Sequence, residues 1–176
     1  MNILVITGSP RKGGNTDIMA EAFAEGARES GNQVVIKNAG AMKIAPCMAC
    51  EYCFAHDGEC IQKDDMAEIL AETDKADMVV FASPIYWFSM SAQIKLAIDR
   101  LYAHAVKGFH PTQTALLLNA MSEGVFDSAV NQYKYMSNYL NWTNKGIITI
   151  AGMNEKGSMK DSPKLRDVVE LGKSIR

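Results

Sequence analysis

The sequence predicts an α/β fold: an open, doubly wound sheet of five parallel strands, in a single domain spanning residues 1–176. Three observations lead there. The chain has 176 residues, 48% of them hydrophobic and 22% charged, which suits one domain with an ample core. Five short apolar runs alternate with segments of helical spacing, the rhythm of a parallel sheet covered on both faces. A glycine-rich loop follows the first run and leads into a helical segment, and such sheets bind ligands at the carboxyl ends of their strands.

The elements follow in order. Ile3 to Thr7 is the first strand. Behind the loop, Ile18, Ala22 and Phe23 share a helical face with Met19, Gly26 and Ala27. Val34 to Ile36 is the second strand, and Met66, Ile69 and Leu70 mark a short helix. Met78 to Ala82 is the third strand. Ile94, Ile98 and Leu101 then repeat at i, i+4 and i+7, a helical stripe. Ala115 to Leu118 is the fourth strand, and Tyr133, Met136 and Leu140 mark the next helix. Ile147 to Ile150, β-branched throughout, is the fifth strand. Pro163 then introduces a helix carrying Leu165, Val168, Val169 and Leu171.

Composition excludes several functions. Eighteen Lys and Arg against 20 Asp and Glu give a net charge of -2, without the basic excess of a nucleic-acid binder. No apolar run nears the roughly 20 residues that span a bilayer. Arg11 and Lys12 follow the first apolar stretch instead of preceding it, the reverse of a secretory signal. A cytoplasmic protein with no nucleic-acid or membrane partner is expected.

The first loop reads Gly8-Ser9-Pro10-Arg11-Lys12-Gly13-Gly14-Asn15-Thr16. Glycines free the backbone to turn N–H groups inward. Ser9, Asn15 and Thr16 add neutral donors, and the helix N-terminus adds positive partial charge. Arg11 and Lys12 raise the local potential. The pattern is a phosphate cradle; its alternative is a plain turn capped by Asn15 or Thr16. Gly8 and Gly13 have the spacing of a triphosphate-binding loop, but Gly14 stands where that loop needs Lys. A dinucleotide fingerprint needs other glycine spacing and an acid after the second strand, where Lys37-Asn38-Ala39-Gly40 has none. A ligand with one terminal phosphate remains.

Ser83-Pro84-Ile85-Tyr86-Trp87-Phe88-Ser89 follows the third strand. Three successive aromatics suit a flat π-ligand, or else a hydrophobic plug or subunit contact. Together, the two loops point to a planar ring system with a single phosphate, which describes flavin mononucleotide (FMN).

Residues 8–16, and residues 83–100 running from Ser83-Pro84-Ile85 to Ile98-Asp99-Arg100, resemble the NADPH-dependent FMN reductase branch of the flavodoxin-like superfamily. The resemblance covers most of the chain. It implies strand order 2-1-3-4-5, bound FMN, reduced nicotinamide (NAD(P)H) as electron donor, and a homodimer. It also implies that Ser9, Arg11, Lys12, Gly14, Asn15 and Thr16 surround the phosphate. Pro84, Ile85, Tyr86, Trp87 and Phe88 would then border the isoalloxazine ring. The loop after the fourth strand, with Asn119, Ser122 and Gly124, would flank the ring's other side.

The four cysteines, Cys47, Cys50, Cys53 and Cys60, fall within fourteen residues. The run Cys-x2-Cys-x2-Cys with a fourth Cys beyond is ferredoxin-like. It resembles the iron–sulfur flavoprotein family, in which FMN accompanies a [4Fe–4S] cluster. Zinc is a second metal reading, and redox-sensitive thiols lining a pocket or interface are a third. No carboxylate pair suggests acid–base catalysis, and hydride transfer needs none because the cofactor does the chemistry. The expected function is transfer of electrons from reduced nicotinamide through FMN to a small acceptor such as a quinone or flavin. The alternative is a non-enzymatic carrier that docks to a redox protein.

Overall fold

The computed structural model describes all 176 residues, Met1 to Arg176. Five parallel strands form the sheet: β1 (Asn2–Thr7), β2 (Gln33–Asn38), β3 (Met78–Tyr86), β5 (Gln113–Asn119) and β6 (Thr143–Ile150). Their order is β2-β1-β3-β5-β6. Counting only the parallel strands, this is the predicted 2-1-3-4-5. The additional strand, β4 (Ser89–Met90), pairs antiparallel with the end of β3.

The predicted apolar runs lie inside these strands, and alternate residues serve opposite faces. Leu4, Ile6, Val79, Phe81, Leu116 and Leu118 join one core cluster. Ile3, Val5, Met78, Val80, Ala115 and Leu117 join the other. The first cluster packs against α3 (Met66–Thr73), α4 (Ala92–Arg100) and α6 (Asp127–Tyr139) through Ile69, Ile94 and Tyr133. The second packs against α1 (Asn15–Glu29) and α7 (Leu165–Lys173) through Phe23 and Val168. A Cβ on Gly26 of α1 would stand 2.1 Å from the Val169 carbonyl oxygen, so only glycine permits this approach between α1 and α7.

Two short helices were not anticipated: α2 (Tyr52–Ala55) in the cysteine segment and α5 (Tyr102–Lys107) after α4. The predicted loop 83–89 is also different. β3 runs on through Tyr86, and Tyr86 pairs with Ser89 across a two-residue turn at Trp87 and Phe88. Ladder bonding to β4 extends the strand beyond the apolar run. No helix is long and apolar enough to cross a membrane.

Candidate functional site

The carboxyl ends of β1, β3, β5 and β6 surround a cleft of about 220 Å³. Ser9, Arg11, Asn15, Thr16, Pro84, Ile85, Tyr86 and Asn119 all line it. Eight of the residues singled out in the sequence, from three separate segments, thus meet in one place. Lys12, Gly14, Trp87, Phe88, Ser122 and Gly124 stand outside its lining, while Ala120 and Met121 take part. Met153, Asn154 and Lys156, beyond β6, supply a wall that the sequence reading missed. The signal was available in their position at the carboxyl end of the last parallel strand.

The cradle is built by local backbone geometry. Gly13 has φ +66, and its N–H donates to the Asp17 carboxylate at 2.8 Å. The Gly14 N–H donates to the Arg11 carbonyl at 2.8 Å, and a Cβ on Gly14 would meet that same oxygen at 2.7 Å. The Arg11 N–H donates to Ser9 Oγ at 3.2 Å. By contrast, the N–H groups of Ser9, Lys12, Asn15, Thr16 and Asp17 make no hydrogen bond within the chain. Three of these five belong to the first turn of α1, where backbone donors and the helix dipole favour an anion. None of the ion pairs engages Arg11, Lys12 or Lys156. Free donors and unpaired cations beside a cleft fit a phosphate-bearing ligand.

Hydroxyls and amides join the loops. Asn119 Nδ2 donates to the buried Thr16 Oγ1 at 2.8 Å, tying the end of β5 to α1. Ser91 Oγ donates to the Gly8 carbonyl at 2.6 Å, and the Ser91 N–H donates to Ser83 Oγ at 3.0 Å. Ser83 and Ser91 are fully buried. They lock the aromatic hairpin onto the cradle, a role the sequence did not reveal. On the hairpin, Trp87 and Phe88 have φ +48 and +66. Trp87 is 92% exposed and Phe88 56% exposed, so they stand beyond the cleft as an open aromatic ridge.

The cysteines form a separate feature. All four border one pocket of about 300 Å³ with Met48, Tyr52, Phe54 and Arg100. Cys47 and Cys50 are exposed and all four are free thiols. No three His, Cys, Asp or Glu side chains converge closely enough to hold a metal ion. As folded, this is a cysteine-lined pocket and not an assembled coordination sphere. Arg100 closes its base. The guanidinium is 2% exposed, bonds Asp64 at 2.8 and 3.0 Å, and donates to the Ala45 carbonyl at 2.9 Å. Burial alone would raise the Asp64 carboxyl, but Arg100 and the Ala45 N–H outweigh it and hold Asp64 below the usual carboxylate range. Both ends of the cysteine segment are therefore pinned at one ion pair.

The family model for NADPH-dependent FMN reductases matches residues 1–173. An iron-sulfur flavoprotein of Methanosarcina thermophila is 31% identical, over 97% of this chain and 88% of that protein. Another from Archaeoglobus fulgidus is 38% identical, over 64% of this chain and 49% of that protein. The chain thus spans about half the length of several curated relatives it matches. In structure it is similar to an NAD(P)H:quinone oxidoreductase of Methanothermobacter marburgensis. The TM-score is 0.75 and the identity 19%, over 98% of this chain and 94% of the other; this likeness concerns the fold.

Proposed function

Because the chain belongs to the NADPH-dependent FMN reductase family, we propose that it is an FMN-dependent NAD(P)H oxidoreductase with a small acceptor such as a quinone or a flavin. The observation that carries this reading is the cleft, where Ser9, Asn15 and Thr16, whose N–H groups are free, meet the ends of β3 and β5. When bound, FMN would supply the redox chemistry, hydride acceptance from reduced nicotinamide and electron release to the acceptor.

The chain's own residues bind and orient. The N–H groups of Ser9, Asn15 and Thr16, with the dipole of α1, would hold the phosphate. Arg11 adds charge from the rim. Pro84, Ile85 and Tyr86 border the ring on one side, and Asn119 to Met121 on the other. At about 220 Å³ the cleft is smaller than the roughly 300–1,000 Å³ of common ligand pockets. Its lining residues would hold the phosphate end and part of the ring, with Trp87 and Phe88 exposed next to Tyr86. Exposed Tyr102, Tyr135 and Tyr139, two of them around an apolar groove of about 440 Å³, support a homodimer.

The test is anaerobic. The purified protein is loaded with FMN and mixed with NADPH or NADH, and flavin absorbance is followed. Bleaching by either nucleotide, then recovery on adding a quinone, supports the reading; a flavin that neither nucleotide bleaches ends it. A second reading, an iron–sulfur electron carrier, is favoured by the four thiols that border one pocket. Iron and sulfide assays on anaerobically purified protein decide it: about four of each per chain support it, and none removes it.

A further inference from the structure

Asn15 spends its side chain on a contact that its place in the loop does not advertise. Its Nδ2 donates to the Glu155 carbonyl at 2.8 Å and to Ser158 Oγ at 3.3 Å, with the Met153 carbonyl at 3.5 Å. Its Oδ1 accepts from the Gly157 N–H at 2.9 Å and the Met159 N–H at 3.1 Å. Every partner belongs to the segment after β6, and Asn15 is 9% exposed. A carboxamide used this fully has nothing left for a phosphate; only the Asn15 backbone N–H remains in the cradle.

The segment so held needs holding. Gly152 and Met153 bond back to Met121 and Ala120, but the N–H groups of Asn154, Glu155 and Lys156 donate to nothing. Gly152 and Gly157 have φ +82 and +93, so the chain turns sharply at both ends of this stretch. Between them, Asn154 and Lys156 line the cleft, and no carboxylate pairs with Lys156. The FMN phosphate is already served by backbone donors. Lys156, in no ion pair on the wall after β6, is free for a second anionic group, and a nicotinamide dinucleotide brings one.

We propose that Asn15 is a positioning residue, the latch that holds residues 152–158 as a wall of the cleft. Lys156, placed by that latch, binds a phosphate of the reduced nicotinamide dinucleotide. The Lys156 half rests on the oxidoreductase reading; the latch half does not.

The experiment has two arms. The first measures amide hydrogen exchange at Gly157 and Met159 in FMN-free protein, wild type against Asn15→Ala. Losing the latch accelerates exchange at both amides by about tenfold or more, the loss of about 1.4 kcal/mol of hydrogen bonding. Amides of Leu116 and Leu117 in the central sheet stay unchanged. Should Asn15→Ala fail to fold, Asn15→Asp retains the acceptor and loses the donors, and it loosens Glu155 to Ser158 alone. The second arm measures FMN affinity and steady-state NADPH oxidation. Lys156→Met raises the KM for NADPH by about five- to tenfold, the worth of one charge-assisted hydrogen bond. The rise in KM exceeds any change in FMN affinity or kcat, and Lys156→Arg restores the KM. Unchanged exchange together with a large loss of FMN affinity in Asn15→Ala would return that carboxamide to the phosphate and overturn the latch. An unaltered KM in Lys156→Met overturns its role. Wild-type protein that ignores NADPH overturns the oxidoreductase reading and the Lys156 assignment with it, while the exchange arm still judges the latch.

Discussion

Gly14 shows how much of the site rests on one hydrogen atom. A methyl group there meets the Arg11 carbonyl oxygen at 2.7 Å, and backbone on both sides must move. We expect Gly14→Ala to weaken FMN binding by about tenfold or more, or about 1.4 kcal/mol, measured by flavin fluorescence titration, with the unfolding midpoint little altered. Arg100 is the opposite case, a residue whose loss is felt in stability. Arg100→Leu leaves the Asp64 carboxylate without its partner, and removing one half of a buried pair costs about 3–5 kcal/mol. Urea unfolding reads that loss; a change below about 1 kcal/mol would show that the pair behaves as a surface one. Ser9, Arg11 and Thr16 were legible in the sequence because residue type and loop position agree, whereas Asn119 came only through the family resemblance. Asn15 was legible as important but not in its role. A carboxamide in a glycine-rich loop looks the same whether it faces a phosphate or a neighbouring strand's loop, and only the fold brings Glu155 and Gly157 beside it.

The β3–β4 hairpin is held in a conformation its residues disfavour. Trp87 and Phe88 both lie in the left-handed region, which costs an L-residue roughly 1–2 kcal/mol each. Strain of this kind concentrates at functional positions. Replacing the pair by Asn-Gly, the preferred two-residue turn, is expected to raise stability by about 1–2 kcal/mol. The same change removes the ridge and slows NADPH oxidation, so thermal unfolding and turnover move in opposite directions. At α5, His104 is buried beside Asp74 at 3.5 Å. Burial lowers its pKa, Asp74 works the other way, and Lys107 adds to the lowering. The folded protein therefore takes up this proton less readily than the unfolded chain. Stability is complete above about pH 6.5, the unfolded value, and declines as pH falls below it. His104→Gln should flatten the fall in melting temperature between about pH 6.5 and 5. The long elements were readable because apolar periodicity marks them. The hairpin was not, since two-residue β4 carries no periodicity and its turn lacks the Asn or Gly that usually announces one.

At the scale of the molecule, topology explains why distant segments cooperate. Strand order β2-β1-β3-β5-β6 sets β1 beside β3 and β3 beside β5, so the loops after residues 7, 86 and 119 open on one edge. Ser83, Ser91, Thr16 and Asn119 then tie those loops together. The alternation of apolar runs and helices gave this architecture directly, because the runs of β1, β3 and β5 are buried on both faces. The wall from Met153 to Lys156 was hidden by its ordinary composition. The cysteine segment was conspicuous by spacing, yet its thiols share a pocket without converging on one point. The cleft is expected to select its ligand through the phosphate. The most direct measurement compares FMN with riboflavin, the same ring without that group, in fluorescence titrations of flavin-free protein. FMN is expected to bind at least about a hundredfold tighter, worth about 2.8 kcal/mol of charge-assisted hydrogen bonds. Equal affinity for the two would contradict it.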